Sequence, residues 1–257
     1  METFYLGTHQ PGWLNWAGVP LFVSDRRLRR YGQLPRVAAP WALDSGGFTE
    51  LSTHGTWDHG PTPREYVDRI HRYRDKIGQL DWVAPQDWMC EPFILAKTGL
   101  SVRDHQWRTV ENYFTLTSLA PDLPIIPVLQ GFEPHEYMEC VDLYASAGLD
   151  LRDQPLVGLG SVCRRQGTEA AERIVKALHS RGITRLHGFG VKKLGLQRFG
   201  HLLTSADSLA WSFDARRSAL LRECVGDRHK NCANCPRFAL AWRCDLLASL
   251  QPRAVSA

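Results

Sequence analysis

Five polar positions in this chain stand at or just past the carboxyl end of an apolar run. Asp44 follows Trp41-Ala42-Leu43, Asp87 follows Trp82-Val83-Ala84-Pro85-Gln86, and Gln130 follows the run 125–129. Gly160-Ser161 follows 156–159, and Asp207 sits within 202–209. Carboxylates act as nucleophiles or as general acids and bases, and an amide reads a hydrogen-bonding edge. In a parallel sheet the carboxyl ends of the strands share one face, and catalysis occurs there. In Asp44-Ser45-Gly46-Gly47-Phe48 the two glycines let backbone N–H groups approach a ligand closely. The carboxylate before them supplies a charge, and the aromatic after them a stacking plate. The same five residues would also serve as a plain strand-ending turn.

A second constellation is Cys224-x4-His229-x2-Cys232-x2-Cys235, with Cys244 further on as an alternative ligand. The chain has seven cysteines, an odd number, and a secreted disulfide framework would spread them more evenly. Thiolate and imidazole at this spacing suit tetrahedral Zn2+, with Cys-x-x-Cys closing a knuckle on one metal. Four protein ligands leave no open water position, so the zinc is expected to be structural. The competing reading is a redox Cys-x-x-Cys. The missing thioredoxin context and the additional His and Cys count against it. Cys90 and Cys140 read as buried small apolar residues.

These residues need a scaffold that brings strand ends together. Eight short apolar runs, at 4–7, 20–23, 41–43, 81–84, 125–129, 156–158, 186–188 and 205–209, lie about thirty residues apart on average, mostly with helical segments between. That alternation predicts a (β/α)8 TIM-like barrel. Thr62-Pro63 opens a helix over 64–77, and Ser101-x-x-Asp104 is a capping-box pattern before a helix to about residue 120. Pro134 opens another that Gly148 closes, and 168–181 is a further helix ended by Gly182. The first unit departs from the pattern, because residues 8–19 are too few and too broken by Gly and Pro for a crossover helix. An open doubly wound sheet is the alternative architecture. The expected organisation is a barrel over 1–221 and a zinc-binding segment with a C-terminal helix over 222–257.

The 257 residues are enough for one large core, and 44% hydrophobic with 23% charged residues is a globular rather than a disordered composition. No apolar run is long enough for a bilayer span, and Met1-Glu2-Thr3-Phe4 lacks a secretory pattern, so a cytoplasmic protein is expected. A net charge of +4 does not by itself argue for nucleic acid. Arg26, Arg27, Arg29 and Arg30, then Lys192 and Lys193, then Arg216 and Arg217 are solvated faces if separate. If the fold gathers them, they form a rim that attracts phosphate.

The motifs resemble those of the tRNA-guanine transglycosylase superfamily. Asp44–Phe48 resembles its Asp-Ser-Gly-Gly-Phe signature, where the aspartate is general acid/base and the aromatic stacks on the base. Val83-Ala84-Pro85-Gln86-Asp87 is similar to the strand whose aspartate reads the base edge, and Val128-Leu129-Gln130-Gly131 to the Gln-Gly segment that also contacts the base. Gly158-Leu159-Gly160-Ser161 resembles the glycine-rich backbone contact, and His187-Gly188-Phe189-Gly190 the segment before the nucleophile strand. Spacing from Gly188 implies Asp207 as nucleophile, with Asp214 in Ser212-Phe213-Asp214 as its rival. The wording Ala-Pro-Gln-Asp-Trp-Met-Cys-Glu and the short length resemble the DpdA branch, which is implied to insert deazaguanine bases into DNA.

The resemblance implies base exchange on DNA, with tRNA as the other candidate, and with guanine and a 7-deazaguanine as the bases. Asp207 would attack the anomeric carbon and Asp44 would move the proton. Asp87, Gln130, Phe48 and Gly160 would hold the base, together with Ser45, Gly46, Gly47 and Gly131. Partner proteins of a modification system are also implied. Two other functions stay open: base transfer to or from a small sugar or nucleotide, and a non-catalytic relative that binds nucleic acid.

Overall fold

The computed structural model describes residues 1–162, 169–226 and 229–250. The order begins β1 (Thr3–Thr8), β2 (Leu21–Ser24), α1 (Asp25–Leu28), β3 (Trp41–Asp44), α2 (Gly47–His54), α3 (Pro63–Ile77) and β4 (Leu80–Val83). There follow α4 (Pro92–Thr98), α5 (Val102–Leu119), β5 (Val128–Leu129), α6 (Pro134–Ser146), β6 (Val157–Leu159) and α7 (Glu169–Ser180). The last part adds β7 (Leu186–Gly188), α8 (Lys193–Phe199), β8 (Ser205–Ser208), α9 (Ala210–Ala215) and α10 (Pro236–Leu250). None of these helices is long and apolar enough to cross a membrane.

All eight strands are parallel, in the order β4-β3-β2-β1-β8-β7-β6-β5. The remaining seam carries a parallel bridge between Val83 and Ile125, in which Val83 N–H donates to the Pro124 carbonyl at 2.9 Å and Ile126 N–H to the Val83 carbonyl at 3.1 Å. The strands therefore curl into a TIM-like barrel rather than a doubly wound sheet. Each predicted run holds a strand. Only 125–129 is much shortened, to Val128–Leu129, because Pro127 has no N–H to give to a ladder.

The helix starts follow local chemistry. Thr62 and Glu65 form a reciprocal capping box at α3, and Ser101 and Asp104 do the same at α5, each spending two otherwise orphaned N–H groups. α6 begins at Pro134 as expected. The predicted start of the next helix at Thr168 lies outside the described residues, as does the end of the C-terminal segment, 251–257.

The short first unit is real. β1 and β2 are joined by a 3-10 turn over Pro11–Asn15, and no α-helix covers them there. Their outer face is covered from the far end of the chain instead. Trp13 of the turn stacks on Trp211 of α9 at 5.5 Å, and Phe4 of β1 meets Trp242 of α10 at 6.3 Å.

Strand residues alternate between two cores, as the pleat requires. Phe4, Leu6, Val23, Trp41, Leu43 and Val83 face the helices, while Tyr5, Ala42, Trp82, Ile126 and Leu156 fill the lumen with Phe22 and Phe189. His187 packs among them, 4.4 Å from Trp82 and 4.8 Å from Phe189 between ring centroids. The next lumen-facing positions up the strands carry the polar groups. Ser24 and Asp44 are register partners two residues beyond Phe22 and Ala42, and Asp207 is the register partner of Tyr5.

Candidate active site

A cavity of about 330 Å³ opens at the carboxyl ends of the strands, within the range of small-ligand sites. Asp44, Asp87, Asp207, Gly47, Phe48 and Gly160 all line it, so six of the positions picked out from sequence meet in one place. Ser45, Gly46, Gln130 and Gly131 are not among its lining residues.

Asp207 is buried, and its Oδ1 accepts from the Gly190 backbone N–H at 2.9 Å and lies 3.3 Å from His187 Nε2. A carboxylate only accepts, so His187 Nε2 carries the hydrogen and Nδ1 accepts from the Ser205 hydroxyl at 2.9 Å. Burial pushes His187 below its ordinary pKa, which favours this neutral form. Oδ2 makes no hydrogen bond among the described residues.

Asp44 ends β3 beside Ser24. Burial pushes its pKa up to about 6; the Gly46 N–H and Ser24 hydroxyl pull against that rise, and the Asp207 and Asp25 charges add to it. Gly46 stands at φ 86°, a left-handed conformation that favours glycine, and a Cβ there would lie 2.7 Å from Arg26 Cγ. This turn starts α2, which carries Phe48 at the rim, 44% exposed and 6.2 Å from the Phe93 ring.

Asp87 follows β4, and its Oδ2 accepts from Gln130 Nε2. Gln130 Oε1 in turn accepts from the Ser161 hydroxyl at 2.7 Å, and Ser161 Oγ accepts from Cys90 N–H at 2.7 Å. A Cβ on Gly160 would sit 2.3 Å from Gln130 Nε2, so this glycine is what admits the amide. Gln130, the glutamine expected to contact the base, thus holds Asp87 and is buried directly behind Gly160 of the cavity wall. Ser45 is buried, and Gly131 packs against the start of α6. Trp88 points elsewhere, under the Arg108 guanidinium at 4.7 Å.

Burial, then the Asp44 charge, pushes Asp87 up to about 7, against the pull of Gln130. The folded state therefore binds this proton more tightly than the unfolded chain, whose carboxyl titrates near about 3.9. Stability is lost as pH rises between those values, and the whole loss is present above the upper one. Asp87→Asn keeps an acceptor for Gln130 and removes the charge. Its thermal midpoint is expected to exceed wild type by roughly 10 °C at pH 8 and to match it at pH 4 in calorimetric melts. An equal difference at both pH values would contradict this origin.

The rival nucleophile is not at the site. Asp214 is exposed on α9 and accepts from Trp242 Nε1 at 2.9 Å. Ser205, by contrast, carries no sequence motif, and His187 is read from sequence only as the start of the segment before the nucleophile strand. Their signal was period-2 alternation, since Ser205 is two residues before Asp207 and pairs with His187 across the sheet.

The cysteine cluster lies apart from the cavity. The donor atoms of Cys224, His229, Cys232 and Cys235 all fall within 4.8 Å of one another. Zinc bonds of about 2.3 Å to sulfur and 2.0–2.1 Å to nitrogen make tetrahedral edges of about 3.8 Å and 3.6 Å. Cys224 Sγ is 3.7 Å from Cys235 Sγ, and Cys232 Sγ is 3.6 Å from His229 Nε2. The residues fit a four-coordinate metal. Cys244 is exposed on α10 and outside the group.

Over residues 1–255 the sequence matches the DpdA family, DeoxyPurine in DNA protein A. The chain belongs to that family. DpdA is related to the tRNA-guanine transglycosylases and is involved in deazapurine modification of DNA. No curated protein matches the chain. The three convergent aspartates are therefore set in a protein of a DNA-modifying family.

Proposed function

We propose that the protein exchanges guanine in DNA for a 7-deazaguanine base through a covalent aspartyl–sugar intermediate. The observation that carries this reading is that Asp44 and Asp207 enter one cavity from β3 and β8 in different settings. Asp207 is held in place by His187 and Gly190, while burial brings Asp44 to about 6, where it passes readily between acid and base.

Asp207 attacks C1′ as the C1′–N9 bond to guanine breaks. The bond electrons leave with the base, and Asp44 in its acid form delivers the proton. The incoming base then gives its N9 proton to Asp44, N9 bonds to C1′, and the Asp207 ester bond breaks. Two displacements retain configuration, and no proton is consumed overall. Asp87, positioned by Gln130, accepts from N–H groups on the base edge, and Phe48 stacks at the rim. A target within duplex DNA must be extruded to reach this cavity.

The test is incorporation of labelled guanine or 7-deazaguanine by the purified protein, followed by separation of DNA, tRNA and small sugars. Label is expected in DNA; label confined to small sugars would favour base transfer in small-molecule metabolism, and label nowhere would remove the catalytic reading. Acid catalysis by Asp44 also sets a pH profile. Guanine release in a single turnover should fall above about pH 6, by about tenfold per unit. Asp44→Asn should flatten that limb; an unchanged limb would place the acid elsewhere.

A further inference from the structure

β1 lies between β2 and β8, so the segments leaving these three strands are neighbours at the mouth of the cavity. His9 leaves β1 and lines the cavity beside Thr8. Arg27 lies on α1, directly after β2, and Arg216 caps α9, directly after β8. Burial, then the charges of Arg27 and Arg216, hold His9 below its ordinary pKa, so both charges are felt at this edge of the cavity. Two of the basic clusters that are far apart in sequence therefore meet here.

Three of their neighbours are engaged within the chain and they are not. Arg26 and Arg29 both turn to the buried Glu50 of α2, Arg29 at 3.7 Å. Arg217 lies over the Phe213 ring at 3.6 Å. The side chains of His9, Arg27 and Arg216 have no hydrogen-bond or ion-pair partner among the described residues. Two like charges flanking an imidazole repel one another unless an anion lies between them. A guanidinium presents forked donors suited to phosphate oxygens.

We infer that His9, Arg27 and Arg216 form a clamp for a phosphodiester of the DNA strand, next to the nucleotide whose sugar reacts. The inference rests on the reading of the cavity as the seat of that nucleotide. The clamp makes the strand itself part of what the site recognises: a free base or nucleoside brings no phosphate to it. It also registers C1′ against Asp207, because phosphate contacts position a strand without reading its sequence.

The experiment measures binding rather than exchange, by fluorescence anisotropy of a guanine-containing single-stranded oligonucleotide across a salt series. Removing one phosphate-binding cation should reduce the slope of log K against log salt by about 0.7, and weaken binding about fivefold at 0.1 M salt. Arg27→Gln and Arg216→Gln should each show this, and the double variant about twice the slope change. Arg27→Lys and Arg216→Lys should keep the slope, and Arg173→Gln on the outer helix α7 should leave it unchanged. A double variant with the slope and affinity of wild type overturns the clamp, as does a wild type that binds no DNA, or an Arg173→Gln slope change equal to the others. Loss of slope in a protein that exchanges no base would keep the clamp and remove the transglycosylase reading; exchange with an unaltered slope would do the reverse.

Discussion

Asp207→Asn is expected to lower base exchange on DNA by roughly 10⁴- to 10⁶-fold, because an amide is a far poorer nucleophile than a carboxylate. The substitution is nearly isosteric, and one side-chain oxygen is enough to keep the contacts with His187 and the Gly190 N–H. Folding and DNA binding should therefore persist while chemistry stops. Two other aspartates calibrate the result. Asp44→Asn should slow exchange by about 10²–10⁴, the range of a lost general acid. Asp214→Asn should leave exchange near wild type, since that side chain is exposed and bonds to Trp242. Comparable losses at Asp207 and Asp214 would point to a folding defect rather than a lost nucleophile.

The second large effect is expected at the metal. Protein prepared without chelator should carry about one zinc, and Cys232→Ser should lose most of it with a fall of about 10 °C or more in thermal midpoint. Metal affinity in such sites is folding free energy, and a loss of about 3 kcal/mol already moves a chain of this size that far. The geometry explains why the barrel would feel it. α10 begins directly after Cys235, and it covers β1 where the missing crossover helix would lie, through Trp242 against Phe4. The Ser212 hydroxyl also donates to the Ala233 carbonyl at 2.8 Å, tying α9 to the knuckle. Cys244→Ser should change neither zinc content nor melting. Metal-free wild type on elemental analysis would contradict the zinc assignment.

Much of this was legible in the sequence because its determinants are local. Apolar runs located the eight strands, and the Thr62-Pro63 pair and the Ser101-x-x-Asp104 pattern placed the starts of α3 and α5. Asp44–Phe48 could be read as a unit because a left-handed Gly46 and the aromatic at the start of a helix must be contiguous. The Cys3His cluster was legible for the same reason, its four residues lying within a stretch of twelve.

What was illegible depended on groups that meet only in three dimensions. Spacing favoured Asp207 over Asp214, but only the strand register with Tyr5 and the exposed position of Asp214 separate them. Gln130 was expected to contact the base. No local pattern announces that its amide also donates to Asp87, 43 residues away, through a gap that Gly160 leaves open. The role of α10 as substitute cover for β1 joins the two ends of the chain, and no local pattern announces it. The arginines were visible as clusters, while the Glu50 carboxylate that occupies Arg26 and Arg29 and leaves Arg27 alone was not.

The most direct test of the central claim is to trap and map the covalent intermediate. The protein would be incubated with a guanine-containing DNA strand, quenched under denaturing conditions, digested, and analysed by peptide mass spectrometry. The account predicts a sugar-linked fragment on the peptide bearing Asp207, attached at that residue and absent from Asp207→Asn. An adduct attached at Asp214 or Asp44, or exchange without an adduct at any carboxylate, would contradict it.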